Sequence, residues 1–275
     1  MSVINTNVKS MVAQNAMTVN NRALSKTMEQ LSTGKRINAA ADDAAGLAIA
    51  NRMTAQIKAL DQSVRNANDG ISMMQTAEGA TKEITTMLQR MRELSVQAAN
   101  DSYSADDRTA IAGEMTQLTS EITRIASNTQ WNGMSVLSGG TAYSTMTFQV
   151  GTEGDASSAI TVGFTAMSAG ALTISALSVS TSVEAQASIE LLDTAITAVD
   201  TFRSDLGARI NRLTSSADNL ANIALNISAS RSQIEDTDYA KATTELAKSQ
   251  IIQQAATAML TQANQSPQSV LSLLK

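Results

Sequence analysis

Three observations predict a mainly α-helical chain: a long antiparallel helical bundle, a coiled-coil rod with a small central β-hairpin region. A 4/3 alternation of apolar residues runs far along the chain on both sides of its middle. Glycine and period-two alternation gather in the middle itself, and Asn, Gln, Ser and Thr interrupt the apolar pattern at the two ends. The 275 residues are enough for one or two domains and a sizeable core.

The first stripe is Met53, Ile57, Leu60, Val64, Ala67, Ile71 and Met74, spacing that holds one helical face against a partner. Two steps of three, from Ile71 to Met74 to Ala77, mark a register slip inside one continuous helix. The stripe then resumes at Ile84, Leu88, Met91 and Leu94. At ~1.5 Å per residue, residues 53–98 would span about 70 Å, so the helix needs partners along its whole length. Ile111, Met115, Leu118, Ile122 and Ile125 repeat the spacing over a shorter helix, which Ser104 introduces with Asp107 three residues on as a capping box. A second long stripe runs from Ala185 through Leu192, Val199, Leu206, Leu213 and Leu220 to Ile227. Small Ala seams bring such helices close, and the 14 Met fill irregular gaps.

Between the stripes no Lys or Arg occurs from Ile125 to Phe202. Met146, Phe148 and Val150 alternate with polar residues, as do Ile160, Val162 and Phe164, so each set predicts a half-buried strand with Gly151 to Ser158 as the turn. Asn132-Gly133 is a second turn signal. This β excursion occupies about 140–182 and leaves no room for a large outer domain. At the ends, residues 1–40 and 233–275 keep their large apolar residues but lose the clean stripe. Pro267, the only proline, is expected to stop the last helix and leave SVLSLLK as an apolar tail.

Composition removes whole classes of function. With neither His nor Cys there is no Ser-His-Asp or Cys-His nucleophile pair, no imidazole or thiolate metal site and no disulfide. The chain is therefore expected to be no enzyme and to need no cofactor or metal. A net charge of −5 argues against nucleic acid as a partner, and the uncharged stretch Ala156 to Val183 is too rich in Ser, Thr and Gly to enter a membrane. The first residues carry no basic segment followed by an apolar one, so Sec-type export is not expected. Ser32-Thr33-Gly34-Lys35 fits S-x-x-K, but the S-D-N and K-T-G elements such enzymes need are absent. The acidic groups Asp42-Asp43, Asp106-Asp107 and Glu235-Asp236 with Asp238 read as helix caps and turns, with Arg36 and Arg52 as ion-pair partners for the first. Asn-x-Ser triplets beginning at Asn100, Asn226 and Asn264 read as chance.

VINTN at 3–7, INAAADDAAGLAIANR at 37–52, NANDGISMMQTAEGA at 66–80, LQRMRELSVQAAN at 88–100, SRSQIEDTDYAKA at 230–242 and QANQSPQSVLSLLK at 262–275 resemble bacterial flagellin. The resemblance covers residues 1–140 and 185–275, in order. It departs in the middle, where many flagellins carry large variable outer domains, and at Trp131 in TQWNG, where Phe is common in the family. The resemblance implies a structural subunit that polymerises into the extracellular flagellar filament for swimming motility. Residues 1–40 and 233–275 would be an inner domain whose N- and C-terminal helices pair in the filament core, and 41–232 the rod. It further implies export unfolded through the flagellar type III apparatus. The implied partners are other copies of the chain, the flagellar cap and hook-junction proteins, an export chaperone that holds the C-terminal segment, and the host flagellin-sensing Toll-like receptor. Ser and Thr in 140–182 become candidate O-glycosylation acceptors by the same analogy. A hook–filament junction protein, which shares the terminal motifs, is the alternative.

The resemblance also nominates a contact surface. Gln89, Arg90, Glu93, Leu94 and Gln97, with Glu114 on the next helix, match the family motif that meets the receptor and lies between subunits. From spacing alone, Arg90, Glu93 and Gln97 share a polar helix face that reads first as a solvated face with intrahelical pairs; it is the resemblance that favours a donor and acceptor surface for a partner.

Overall fold

A computed structural model describes residues 6–139, 145–153, 155 and 158–272, with the backbone alone for 266–272. Val3, Ile4 and Asn5 of the first matching run, residues 140–144, parts of the Gly151 to Ser158 turn and the last three residues of the tail lie outside the described residues. The elements are α1 (Val8–Thr33), α2 (Ala44–Ala98), α3 (Ala105–Asn128), β1 (Gln130–Trp131), β2 (Met134–Ser135), β3 (Thr145–Gln149), β4 (Ala159–Gly163), α4 (Ser182–Glu235) and α5 (Tyr239–Ser272). By packing, the chain divides into two compact units, 1–55 with 226–275, and 56–225. The inner and rod domains expected at 1–40 with 233–275 and at 41–232 are a division by function and are taken up below.

In the unit 56–225 the long stripe becomes the core. Ala67, Met74, Ile84, Leu88 and Met91 of α2 lie fully inside, as do Ile122 and Ala126 of α3 and Leu192, Val199, Leu206 and Leu213 of α4. The 55 residues of α2 run unbroken through the register slip. Ser104 caps α3 as expected: its hydroxyl accepts the Asp107 N–H while the Asp107 carboxylate accepts the Ser104 N–H at 3.0 Å. Arg108 ties α3 back to the end of α2 by donating to the Ala98 carbonyl at 2.9 Å. Both hairpins form. β1 and β2 pair around Asn132 and Gly133, both at positive φ. β3 and β4 pair antiparallel with Met146 opposite Val162 and Phe148 opposite Ile160. The second hairpin seats on α2 at Gly70, where a Cβ would lie 3.0 Å from the Phe148 ring and 3.2 Å from Leu213. Asn66 donates to the Gln149 carbonyl beside it.

The unit 1–55 with 226–275 is built on a different principle. α1 and α5 run antiparallel at close range, and polar bonds cross the seam between them: Asn20 donates to the Ser249 carbonyl at 2.9 Å, Gln253 to Asn21 at 3.2 Å and Ser10 to Asn264 at 2.9 Å. Asn20, Thr27, Ala242 and Ser249 are the buried residues of these two helices among those described. α1 ends at Gly34 in the left-handed conformation, φ 71°, so the S-x-x-K match is a helix C-cap. Beyond it Lys35 pairs with Glu235 at 2.5 Å, and Arg36 donates to the Ile234 carbonyl at 2.6 Å. Asp43 caps α2 by accepting the Gly46 N–H at 2.8 Å, and Asp238 caps α5 through the N–H groups of Ala240 and Lys241.

The expected ion pairs around Asp42-Asp43 need correction. Arg36 reaches Asp43 at 3.7 Å, but Arg52 makes no ion pair among the described residues. Lys26 of α1, 16 residues back in sequence, instead holds Asp42 at 2.7 Å. With that bond first and the N–H groups of Ala39 and Asn38 next, the Asp42 carboxyl is lowered from 3.8 to about 2.

Pro267 also corrects an expectation, because α5 continues through it to Ser272. A proline in a helix lacks the N–H that would bond the carbonyl four residues back, which here is Ala263. Asn7 of α1 supplies the missing donor, its Nδ2 reaching the Ala263 carbonyl at 2.8 Å while its Oδ1 accepts the Ser10 N–H at 3.1 Å. One amide thus caps α1 and satisfies the carbonyl that the proline orphans.

Two outcomes are expected. Asn7→Ala costs the α1–α5 pair about 2 kcal/mol with Pro267 in place but about 1 kcal/mol in the Pro267→Ala background, where the restored N–H satisfies Ala263; amide exchange at that end of α1 measures the difference. Because the Asp42 pKa is depressed on folding, its contribution is complete above the unfolded value of 3.8 and is lost as pH falls toward about 2. Thermal melting across that window should show the loss, and Asp42→Asn should abolish this part of the pH dependence.

Candidate functional site

The polar face nominated on α2 is built by two helices. Arg90, in the last quarter of α2, donates from Nε to Glu114 of α3 at 3.0 Å and from Nη1 to Glu93 at 3.2 Å. The bond to Glu114, then that to Glu93, raises the Arg90 pKa further above its ordinary value, so the guanidinium stays charged. The α2–α3 connection brings these residues together: it is short, and the Ser104 cap and the Arg108 bond to Ala98 fix its exit. Gln89 and Gln97 are exposed on either side. Gln97 donates to the Tyr103 hydroxyl at 3.1 Å, which adds Tyr103 to the surface.

Leu94 does not belong to that surface. It is 2% exposed and belongs to the apolar core, because its place in the 4/3 stripe turns it inward while Glu93 beside it turns out. Its role is to support the face from beneath. On another aspect of α2, Arg92 binds Asp193 of α4 through two bonds of 2.5 and 3.3 Å, holding that carboxyl below its ordinary range. Spacing alone could not have found Tyr103 or Asp193, since each depends on which helices become neighbours.

A second candidate surface is the outside of the α1–α5 pair. Met17, Leu24, Leu31, Leu246 and Leu260 are half-buried along the seam with its polar and small groups, and a further set of large apolar residues faces outward. Val8, Met11, Val12, Val19 and Met28 of α1 and Ile251, Ile252 and Met259 of α5 are all exposed. Val8, Val12 and Met259, with Ala13 and Ala263, line a shallow groove of about 520 Å³ along the pair.

What these surfaces offer is contact, not chemistry. Among the described residues no group of carboxylates is arranged to hold a metal ion, and no helix is long and apolar enough to cross a membrane. The acidic groups singled out in the sequence sit in caps and ion pairs, with Asp107 in the α3 capping box and Asp236 accepting from Ser232 at 2.5 Å.

The family model of the bacterial flagellin N-terminal helical region matches residues 4–142, and that of the C-terminal helical region matches residues 189–274. The flagellar filament 33 kDa core protein of Treponema phagedenis is 43% identical over 99% of this chain and 100% of its own. A flagellin of Halalkalibacterium halodurans is 43% identical with the same coverage. The crystal structure of Bacillus cereus flagellin, 32% identical, superposes with a TM-score of 0.50 over 61% of this chain and 94% of that one. With both terminal helical regions matched and full-length relatives at this identity, the chain belongs to the bacterial flagellin family and is a structural filament subunit, not an enzyme.

Proposed function

We propose that the chain polymerises with copies of itself into the extracellular filament of the bacterial flagellum, the propeller of swimming motility. The observation that carries this reading is the outward apolar face of α1 and α5, from Val8 and Val12 to Ile251 and Met259. A helix pair that crosses its seam with hydrogen bonds, leaves its Leu half-buried and presents Val, Ile and Met to water has much apolar burial still to make. Repeated copies supply it, and contacts that join one face to a different face without closing into a ring generate an open helical polymer. Residues 1–40 and 233–275 then form the inner layer and 41–232 the rod around it.

Export through the flagellar type III channel suits a chain held together without a single disulfide, since nothing covalent resists threading. Before export, a chaperone that covers the C-terminal segment would shield the apolar residues of α5. A cap complex would place each subunit at the growing tip, and hook-junction proteins would seat the first ones. The Arg90, Glu93 and Glu114 cluster, flanked by Gln89 and Gln97, is the surface we assign to the host flagellin-sensing Toll-like receptor. Its exposed charge-assisted bonds can be exchanged for bonds to a partner.

Purified subunits added to filament seeds should elongate them under the electron microscope. Failure to elongate while still binding the seed end would point to a hook–filament junction protein instead. Arg90→Ala should reduce receptor activation by about tenfold or more with an unchanged circular dichroism spectrum, since an exposed pair contributes little to folding. Full activation by that variant would overturn the receptor assignment.

A further inference from the structure

We infer that Met11, Met28 and Met259 are an oxidation-sensitive set in the free subunit, open to peroxide-class oxidants before assembly and shielded after it. Among the described residues these are the exposed methionines, at 61%, 56% and 65% of their full accessibility, and all three belong to α1 or α5. The methionines described in the other unit are treated differently: Met73, Met74, Met91, Met115 and Met167 are buried, the first three at 1% or less, and Met87, Met134 and Met146 are half-buried. The chain therefore keeps its accessible thioethers on the helix pair whose burial is unfinished.

The positions matter as well as the exposure. The bonds from Asn7 to Ala263 and from Asn20 to Ser249 set the antiparallel register of the pair. That register brings Met11 and Met259 to the same level. Met259 lines the apolar groove with Val8 and Val12. An oxidised thioether here places a polar S=O group in the middle of the face that must leave water.

The chemistry is a two-electron transfer with hydrogen peroxide. The thioether sulfur attacks one peroxide oxygen, an S–O bond forms as the O–O bond breaks, and the departing hydroxide takes the proton of the sulfur-bound hydroxyl to leave as water. Sulfur is oxidised to the sulfoxide and the peroxide is reduced. Susceptibility follows exposure, and the product is a polar, chiral group that disrupts apolar interfaces. A sulfoxide buried without a donor opposes assembly, and one such group is enough to slow elongation by about tenfold.

This inference rests on the proposed covering of α1 and α5 by neighbouring copies, and the experiment separates the two. Free subunits and seed-grown filaments are exposed to the same hydrogen peroxide, and peptide mass mapping follows one-oxygen additions at each methionine. Met11, Met28 and Met259 should oxidise in the free subunit, the five buried methionines should not, and all three should be protected in the filament. Oxidised subunits should elongate seeds about tenfold more slowly or worse, and stereospecific methionine sulfoxide reductases should restore the rate. A Met11→Leu, Met28→Leu, Met259→Leu variant keeps the apolar volume and should elongate equally well before and after peroxide. Equal oxidation of the three in filament and free subunit would overturn the covering itself. Protection in the filament together with full elongation by oxidised subunits would overturn the inference alone, as would a peroxide-induced loss in the triple variant equal to that of the natural chain.

Discussion

The seam between α1 and α5 mixes buried Asn20, Thr27, Ala242 and Ser249 with half-buried Met17, Leu24, Leu31, Leu246 and Leu260, and this choice governs what the rest of the chain can do. Small and polar residues let two helices approach closely, but they remove little apolar surface from water. Hydrogen bonds across the seam set register and direction. Each contributes modestly to net stability, because water satisfies the same groups in the separated helices. Much of the larger driving force, burial of Val, Ile and Met side chains, is left on the outside of the pair. The chain ends are thus specified in geometry and incomplete in energy, a combination that suits coupled folding and association.

The unit 56–225 works the other way. Its Leu, Ile and Met face one another along α2, α3 and α4, with Ala67, Ala77 and Ala185 allowing close packing and Met filling the remaining gaps. Its exposed face is charged, with ion pairs such as Arg90 to Glu114 and Arg92 to Asp193 between neighbouring helices. These add little to folding while screened by water, which leaves them available to a partner. The hairpin that sits at Gly70 shows how closely the design depends on small residues, since a Cβ there would press on the Phe148 ring. Stability and recognition are therefore carried by different side chains of the same helices.

Much of this was legible in the sequence because it depends on local spacing. The 4/3 stripes of α2 and α4, the Ser104 and Asp107 box, the period-two alternation of β3 and β4 and the Asn132-Gly133 turn are all set by residues within a few positions of one another. The misses share the opposite property. Pro267 fits within α5 with the Ala263 carbonyl it frees satisfied by Asn7, 256 residues from that carbonyl. Lys26 replaces Arg52 as a partner of the aspartate pair because the connection after α1 brings Asp42 back beside that helix. Leu94 carried a conflict that could have been resolved earlier: its membership of the apolar stripe already argued for the core, while the family motif argued for a contact surface. Where a residue sits in a clean stripe, periodicity is the stronger guide to which way it points.

Amide hydrogen exchange compared between the free subunit and the seed-grown filament tests most directly whether α1 and α5 complete their burial in neighbouring copies. Protection in α1 and α5 should rise by about a hundredfold or more on assembly, while the core amides of α2, α3 and α4 in the unit 56–225 change little. Protection of α1 and α5 that is already at its filament level in the free subunit would contradict the claim.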